Sequence, residues 1–229
     1  MRWPRAVVLL PLLGCSDLSG TGGGVVALEL RPPNPAAVEQ HDTLALSARA
    51  LDGNGKPVAA DIFWRSPDSV LIVDSTGLVT TEASSGTGRV QARTGSLLSD
   101  LVSLEIHRRS DTLVLQGPAT ITVAATDTAS GALVAAVQSL TPDTVGIGNT
   151  RILYEVADTA IAQGNFHFQG GGLSLRAATG LTGQPVVPVT LRKASAGTAP
   201  ASVTVVVSAT RPSGAVVPGS GQVFTIDFQ

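Results

Sequence analysis

Apolar and polar residues alternate with period two in short bursts along most of the chain. Val26, Leu28 and Leu30 share one side of an extended segment, opposite Ala27, Glu29 and Arg31. Leu44, Leu46, Ala48 and Ala50 do the same against Thr43, Ser47 and Arg49, and Ile62 and Trp64 lie opposite Asp61 and Arg65. Arg89, Gln91 and Arg93 face away from Val90 and Ala92, and Val102, Leu104 and Ile106 alternate with Ser103, Glu105 and His107. Past residue 110 the pattern resumes in Ile121/Val123/Ala125, Ile152/Tyr154/Val156, Leu173/Leu175, Val187/Val189/Leu191, Val203/Val205/Val207 and Phe224/Ile226/Phe228. In a strand, successive side chains point to opposite faces, so each burst predicts a half-buried β-strand. Turn-formers separate the bursts, as at Asp52-Gly53-Asn54-Gly55, where Gly and Asn tolerate positive φ. Apolar residues at helical spacing never extend beyond a turn or two. The prediction is an all-β chain folded into sandwiches of half-buried antiparallel sheets.

Composition changes this picture little. The 229 residues suit two domains of about 100 residues each, either able to bury a core without disulfides. The chain has a single cysteine. Fifteen Lys and Arg against 17 Asp and Glu give a formal net charge of −2, which argues against a nucleic-acid partner.

One region carries a family signature. Phe63-Trp64-Arg65-Ser66 is followed by Val73-Asp74-Ser75-Thr76-Gly77-Leu78-Val79, and then by Gly86-Thr87-Gly88. With the Asp52 turn ahead of it, this order resembles the group 2 bacterial immunoglobulin-like domain over residues 25–107. The resemblance departs at Gly88 and Arg89, where Ala and a β-branched residue are more usual. Arg108-Arg109-Ser110 is expected to be a hinge. Residues 111–229 then open with Asp111-Thr112-Leu113-Val114-Leu115, an echo of Asp42-Thr43-Leu44-Ala45-Leu46. They also resemble an immunoglobulin-type sandwich, so the resemblances imply two tandem immunoglobulin-like β-sandwiches. The later half of the second, from Val187 onward, is vaguely similar to the group 1 domains of intimin-like and invasin-like adhesins.

The first 15 residues concern address. Arg2 and Arg5 form a short basic stretch ahead of an apolar run, Ala6–Leu13, far shorter than the roughly 20 residues of a membrane-spanning helix and suited to an export signal. It ends in Leu12-Leu13-Gly14-Cys15, which resembles the lipobox of bacterial lipoproteins. The resemblance implies residues 1–14 as a signal peptide and a lipidated Cys15. Residues 15–24, rich in Ser and Gly, would be a flexible tether. It also implies a cell-envelope location, with the outer membrane favoured and the lipid anchor as the membrane contact. The alternative is an ordinary secretory signal with an unpaired thiol.

Candidate chemistry is sparse. Trp64 is expected in the core. Asp52-Gly53-Asn54-Gly55 looks like the opening of a calcium loop, but its twelfth position is Phe63, where an EF-hand requires Glu. A junction metal on Asp52, Asp111 or Asp127 is not predicted by their spacing. Gly146-Ile147-Gly148-Asn149 lacks the third glycine and following helix of a phosphate loop and is expected to be a turn. His41, His107 and His167 are too far apart in sequence for a ligand set. No Gly-x-Ser-x-Gly elbow occurs. The remaining candidate is Phe166-His167-Phe168, set between glycines. It is either an exposed contact patch or a strand with both phenylalanines inward. The expectation is a non-enzymatic structural or adhesion module without cofactor or metal, binding a protein or glycan partner. A glycan-binding module, predicting an exposed aromatic platform, and a hydrolase with a cryptic site are the alternatives.

Overall fold

A computed structural model describes residues 24–157, 165–195 and 201–229, and every regular element among them is a β-strand. The first half comprises β1 (Ala27–Arg31), β2 (Ala37–Glu39), β3 (Thr43–Ala45), β4 (Ser47–Leu51), β5 (Pro57–Val58), β6 (Phe63–Arg65), β7 (Ile72–Val73), β8 (Leu78–Thr80), β9 (Gly86–Thr94), β10 (Leu97–Leu98) and β11 (Val102–His107). One layer holds β1-β4-β5 and β3-β8-β7; the other holds β10-β9-β11-β2, with β6 on the far side of β9. The long alternating segment expected over Thr43–Ala50 changes partner midway. Its β3 half pairs with β8, its β4 half with β1, and at the break the Leu46 amide donates to the Gly77 carbonyl.

The second half comprises β12 (Thr112–Gln116), β13 (Thr120–Val123), β14 (Val134–Ser139), β15 (Val145–Gly146), β16 (Arg151–Val156), β17 (Phe166–Phe168), β18 (Ser174–Ala178), β19 (Leu191–Lys193), β20 (Ala201–Ala209) and β21 (Gln222–Phe228). Its sheets are β12-β14-β15, β13-β21-β20-β16-β18 and β17-β19. Both halves repeat one arrangement. The first strand runs antiparallel to a following strand of its own layer, as in β1–β4 and β12–β14. The second strand crosses to lie parallel to the last, as in β2–β11 and β13–β21. These are two immunoglobulin-like sandwiches, each with its own core. Val38, Leu44, Val79, Val90 and Leu104 fill the first, and Leu113, Tyr154, Phe168, Phe224 and Ile226 the second. Each such side chain stabilises its domain by about 1.5–3 kcal/mol.

Trp64 packs against both apolar clusters of the first sandwich, which makes it a core residue that retains a partly exposed edge. The hairpin after it ties Trp64 to Asp74 and Gly77. The Asp74 carboxylate accepts from the Thr76 hydroxyl and from the amides of Leu78 and Thr76, which hold its carboxyl below the usual range and fix a turn that puts Gly77 at φ 86°. A Cβ on Gly77 would lie 2.7 Å from the Trp64 indole. Gly77→Ala is therefore expected to cost about 2–4 kcal/mol, from left-handed strain and crowding together, measured as a urea midpoint shift in Trp64 fluorescence. The two residues at which the sequence departs from the pattern it resembles also have causes. The side-chain space at Gly88 is filled by Leu71, and Arg89 makes a bidentate pair with Asp68 at 2.9 Å.

Several edge predictions are corrected. Val26 precedes β1 and is exposed, Ala125 lies past the end of β13, and Val187 is exposed ahead of β19. Gln91 is buried, not solvent-facing, because its side chain accepts from Arg65 and donates to the Ser99 carbonyl. Alternation marks a strand's interior; where a strand begins and ends depends on pairing partners remote in sequence.

Candidate interaction site at the domain junction

The expected hinge is a packed joint. Ser110 is fully buried, and its amide and hydroxyl donate to the two carboxylate oxygens of Glu39 at 2.9 and 2.6 Å. From the second sandwich, Arg211 donates through Nε and Nη2 to the Ser110 carbonyl at 3.1 and 2.8 Å. Its Nε also stands 3.4 Å from a Glu39 oxygen. Glu39, at the end of β2, is only 2% exposed. Burial pushes its carboxyl above the ordinary 4.5, against the pull of Ser110 and Arg211 in the other direction. Further bonds cross between the domains. The Ser213 hydroxyl donates to Asp42 at 2.7 Å, the Asn149 amide to Glu105 at 3.1 Å, and Arg151 to the Asn34 side-chain oxygen at 3.3 Å.

Beside this joint lies a cavity of about 310 Å³ with walls from both sandwiches. Asn34, Pro35 and His107 come from the first; Arg151, Arg176 and Arg211 come from the second. The volume is at the lower end of the range for small-molecule sites.

The residues singled out in the sequence are placed elsewhere. Phe166 and Phe168 are 5% and 0% exposed. The Phe166 ring packs on Phe228 with centroids 5.2 Å apart, and β17 pairs with β19. Both rings belong to the core, because alternation along β17 turns them inward and leaves only His167 towards solvent. The pair therefore offers no aromatic contact patch. Cys15, the signal peptide and the tether up to residue 23 lie outside the described residues. Asp52 caps its own turn, accepting from the amides of Asn54 and Lys56, and Asp111 accepts from the Leu140 amide. Among the described residues no group of three acidic, His or Cys side chains is placed to hold a metal. His41 faces Glu82, His107 lines the junction cavity, and His167 sits on β17.

Sequence reasoning missed Glu39, Arg151, Arg176 and Arg211. Each is a lone charged residue in or beside a strand and carries no local motif. A glutamate following the apolar Ala36-Ala37-Val38 was the one available hint of a buried charge.

No protein-family model matches the chain, and no curated protein matches it. Among solved structures, it is similar to the adhesin InvE of Yersinia pseudotuberculosis at 15% identity and a TM-score of 0.41, over 90% of this chain and 60% of that one. The fibronectin(III)-like modules of Clostridium thermocellum CbhA align at 13% identity and 0.38, over 87% and 93%. The D00-D0 domain of intimin aligns at 14% and 0.29, over 86% and 98%. The chain spans 60% of the length of the solved InvE chain. These likenesses are loose, and the immunoglobulin-like assignment rests on the strand order described above.

Proposed function

We propose that this protein is a lipid-anchored module of a bacterial envelope, in which two immunoglobulin-like sandwiches act as a stiff, non-enzymatic spacer or adhesion element. The first sandwich is, on this reading, a group 2 bacterial immunoglobulin-like domain, and the outer membrane is the favoured site of the anchor. The joint at Glu39, Ser110 and Arg211 carries the reading. A linker whose Ser110 is buried and bonded to both domains transmits a fixed orientation, as a spacer requires. The lipobox-like Leu12–Cys15 supports the anchor, since a doubly acylated cysteine binds membranes stably where one chain does so marginally. A glycan module built on aromatic stacking is less well supported. Phe63, 54% exposed, is the one aromatic among the exposed large apolar side chains of the described residues, and Arg93 lies over its ring.

The test is intact mass and detergent partitioning of the protein from its native or a related host. Cleavage before Cys15 with added acyl chains, and release of a Cys15→Ser form into the soluble fraction, is the expected result. A soluble, unacylated wild-type product would overturn the anchor.

A further inference from the structure

We infer that the cavity at the domain junction is a binding site for an acidic sugar unit, held by Arg151 and Arg176. Both arginines stand on one face of neighbouring strands. Arg151 is opposite Ala178 and Arg176 is opposite Leu153, so the two are diagonal neighbours about 7–8 Å apart. Two like charges at that spacing repel. Among the described residues neither forms an ion pair; Arg151 has only the neutral Asn34 oxygen, and Glu155, opposite Ser174 and so also a diagonal neighbour of Arg176, makes no ion pair and lies outside the cavity lining. The third arginine of the cavity, Arg211, is already matched by Glu39.

The remaining charge facing the cavity is therefore that of Arg151 and Arg176. Glu105, on the first sandwich, is turned towards Asn149 and His107. Guanidinium groups bind carboxylate and phosphate oxygens through paired N–H donors. The rest of the lining suits a polyhydroxylated body: Asn149, Thr150, Ser208 and Thr210 offer amide and hydroxyl groups, while Pro35 and Leu153 offer apolar surface. A volume near 310 Å³ admits one sugar unit. Recognition here works by charge and hydrogen bonding, which needs no aromatic platform. The inference is independent of lipid anchoring, because every residue it uses lies in the two sandwiches.

The experiment is calorimetric titration of the Cys15→Ser chain with glucuronate, glucose 6-phosphate and neutral glucose. Saturable binding of one or both anions, with none for glucose at the same concentration, is expected. Binding of glucuronate alone assigns a carboxylate ligand, and of glucose 6-phosphate alone a phosphate ligand. Arg151→Ala and Arg176→Ala should each weaken the association about tenfold, in keeping with loss of a charge-assisted hydrogen bond. Both side chains are exposed, so an unchanged thermal melt is the control for folding. No saturable binding of either anion, equal binding of glucose, or full affinity in both folded variants would overturn the site. The comparison of charged and neutral sugars on the unsubstituted site decides the matter even where a variant fails to fold.

Discussion

Glu39→Ala is expected to destabilise the chain by about 3–5 kcal/mol, because it leaves Arg211 buried beside an empty space. The reciprocal Arg211→Ala leaves the Glu39 carboxylate with only its Ser110 donors and should cost a similar amount. Removing both charges together, as Glu39→Met with Arg211→Met, should cost less than either alanine variant. A well-packed apolar pair escapes the desolvation cost that the ion pair bears. Urea unfolding checks this with a reporter in each domain: Trp64 is the one tryptophan besides Trp3, and Tyr154 is the one tyrosine. Single variants should separate the two transitions by uncoupling the sandwiches, and near-coincident transitions in Glu39→Ala would refute the role assigned to the joint.

Acid adds a second test. Burial raises the Glu39 pKa above 4.5, so the folded chain holds this proton to a higher pH than the unfolded chain does. Its contribution is full below the unfolded value and is lost as pH rises through the folded one. The stability gap between wild type and Glu39→Ala should accordingly widen as pH falls from neutrality towards 4.5. Glu29, Asp68 and Asp74 run the other way. Arginine partners hold the first two below the usual carboxylate range, and Thr76 with the Leu78 amide holds the third. Their contributions are present above the ordinary values and lost as pH falls through the lowered ones.

Gly146→Ala and Gly183→Ala should each cost about 4 kcal/mol or more, in the range reserved for steric or strained sites. The turn at residues 180–183 lies directly on the edge of β14 and β15, and the Val137 amide donates to the Gly183 carbonyl at 3.0 Å. A Cβ at Gly146 would fall 2.0 Å from the Thr182 carbonyl carbon, and one at Gly183, where φ is 75°, 2.1 Å from the Val137 oxygen. Backbone cannot rotate away as a side chain can. Gly53→Ala meets open space and should stay within about 0.5 kcal/mol of wild type. Denaturation followed through Tyr154, whose hydroxyl burial pushes up to about 12, separates the two classes. Stability of Gly146→Ala near that of wild type would contradict the close approach.

The resemblance of Gly146-Ile147-Gly148-Asn149 to a phosphate loop shows where local reading stops. The sequence marks a turn, and the structure adds that Gly146 is small because a second turn, some 35 residues on, rests against it. Trp64 and Gly77 were more legible, since they lie 13 residues apart in one short run of strand and turn signals, and their contact follows from a single hairpin. Phe166 and Phe168 were ambiguous for a related reason. Alternation puts two phenylalanines on the same face, but which face is buried depends on β19 and on Phe228, far along the chain.

By itself, the sequence determined that this is an all-β chain with two successive sandwiches. Side-chain alternation and turn chemistry are local properties, set by residues two to four positions apart. Only the tertiary structure decided that the link between the sandwiches is a buried joint, and that Arg151 and Arg176 share a cavity. Glu39 and Arg211 lie at opposite ends of the chain and carry no signal of each other. Their pairing exists only once both sandwiches have closed and desolvated the space between them.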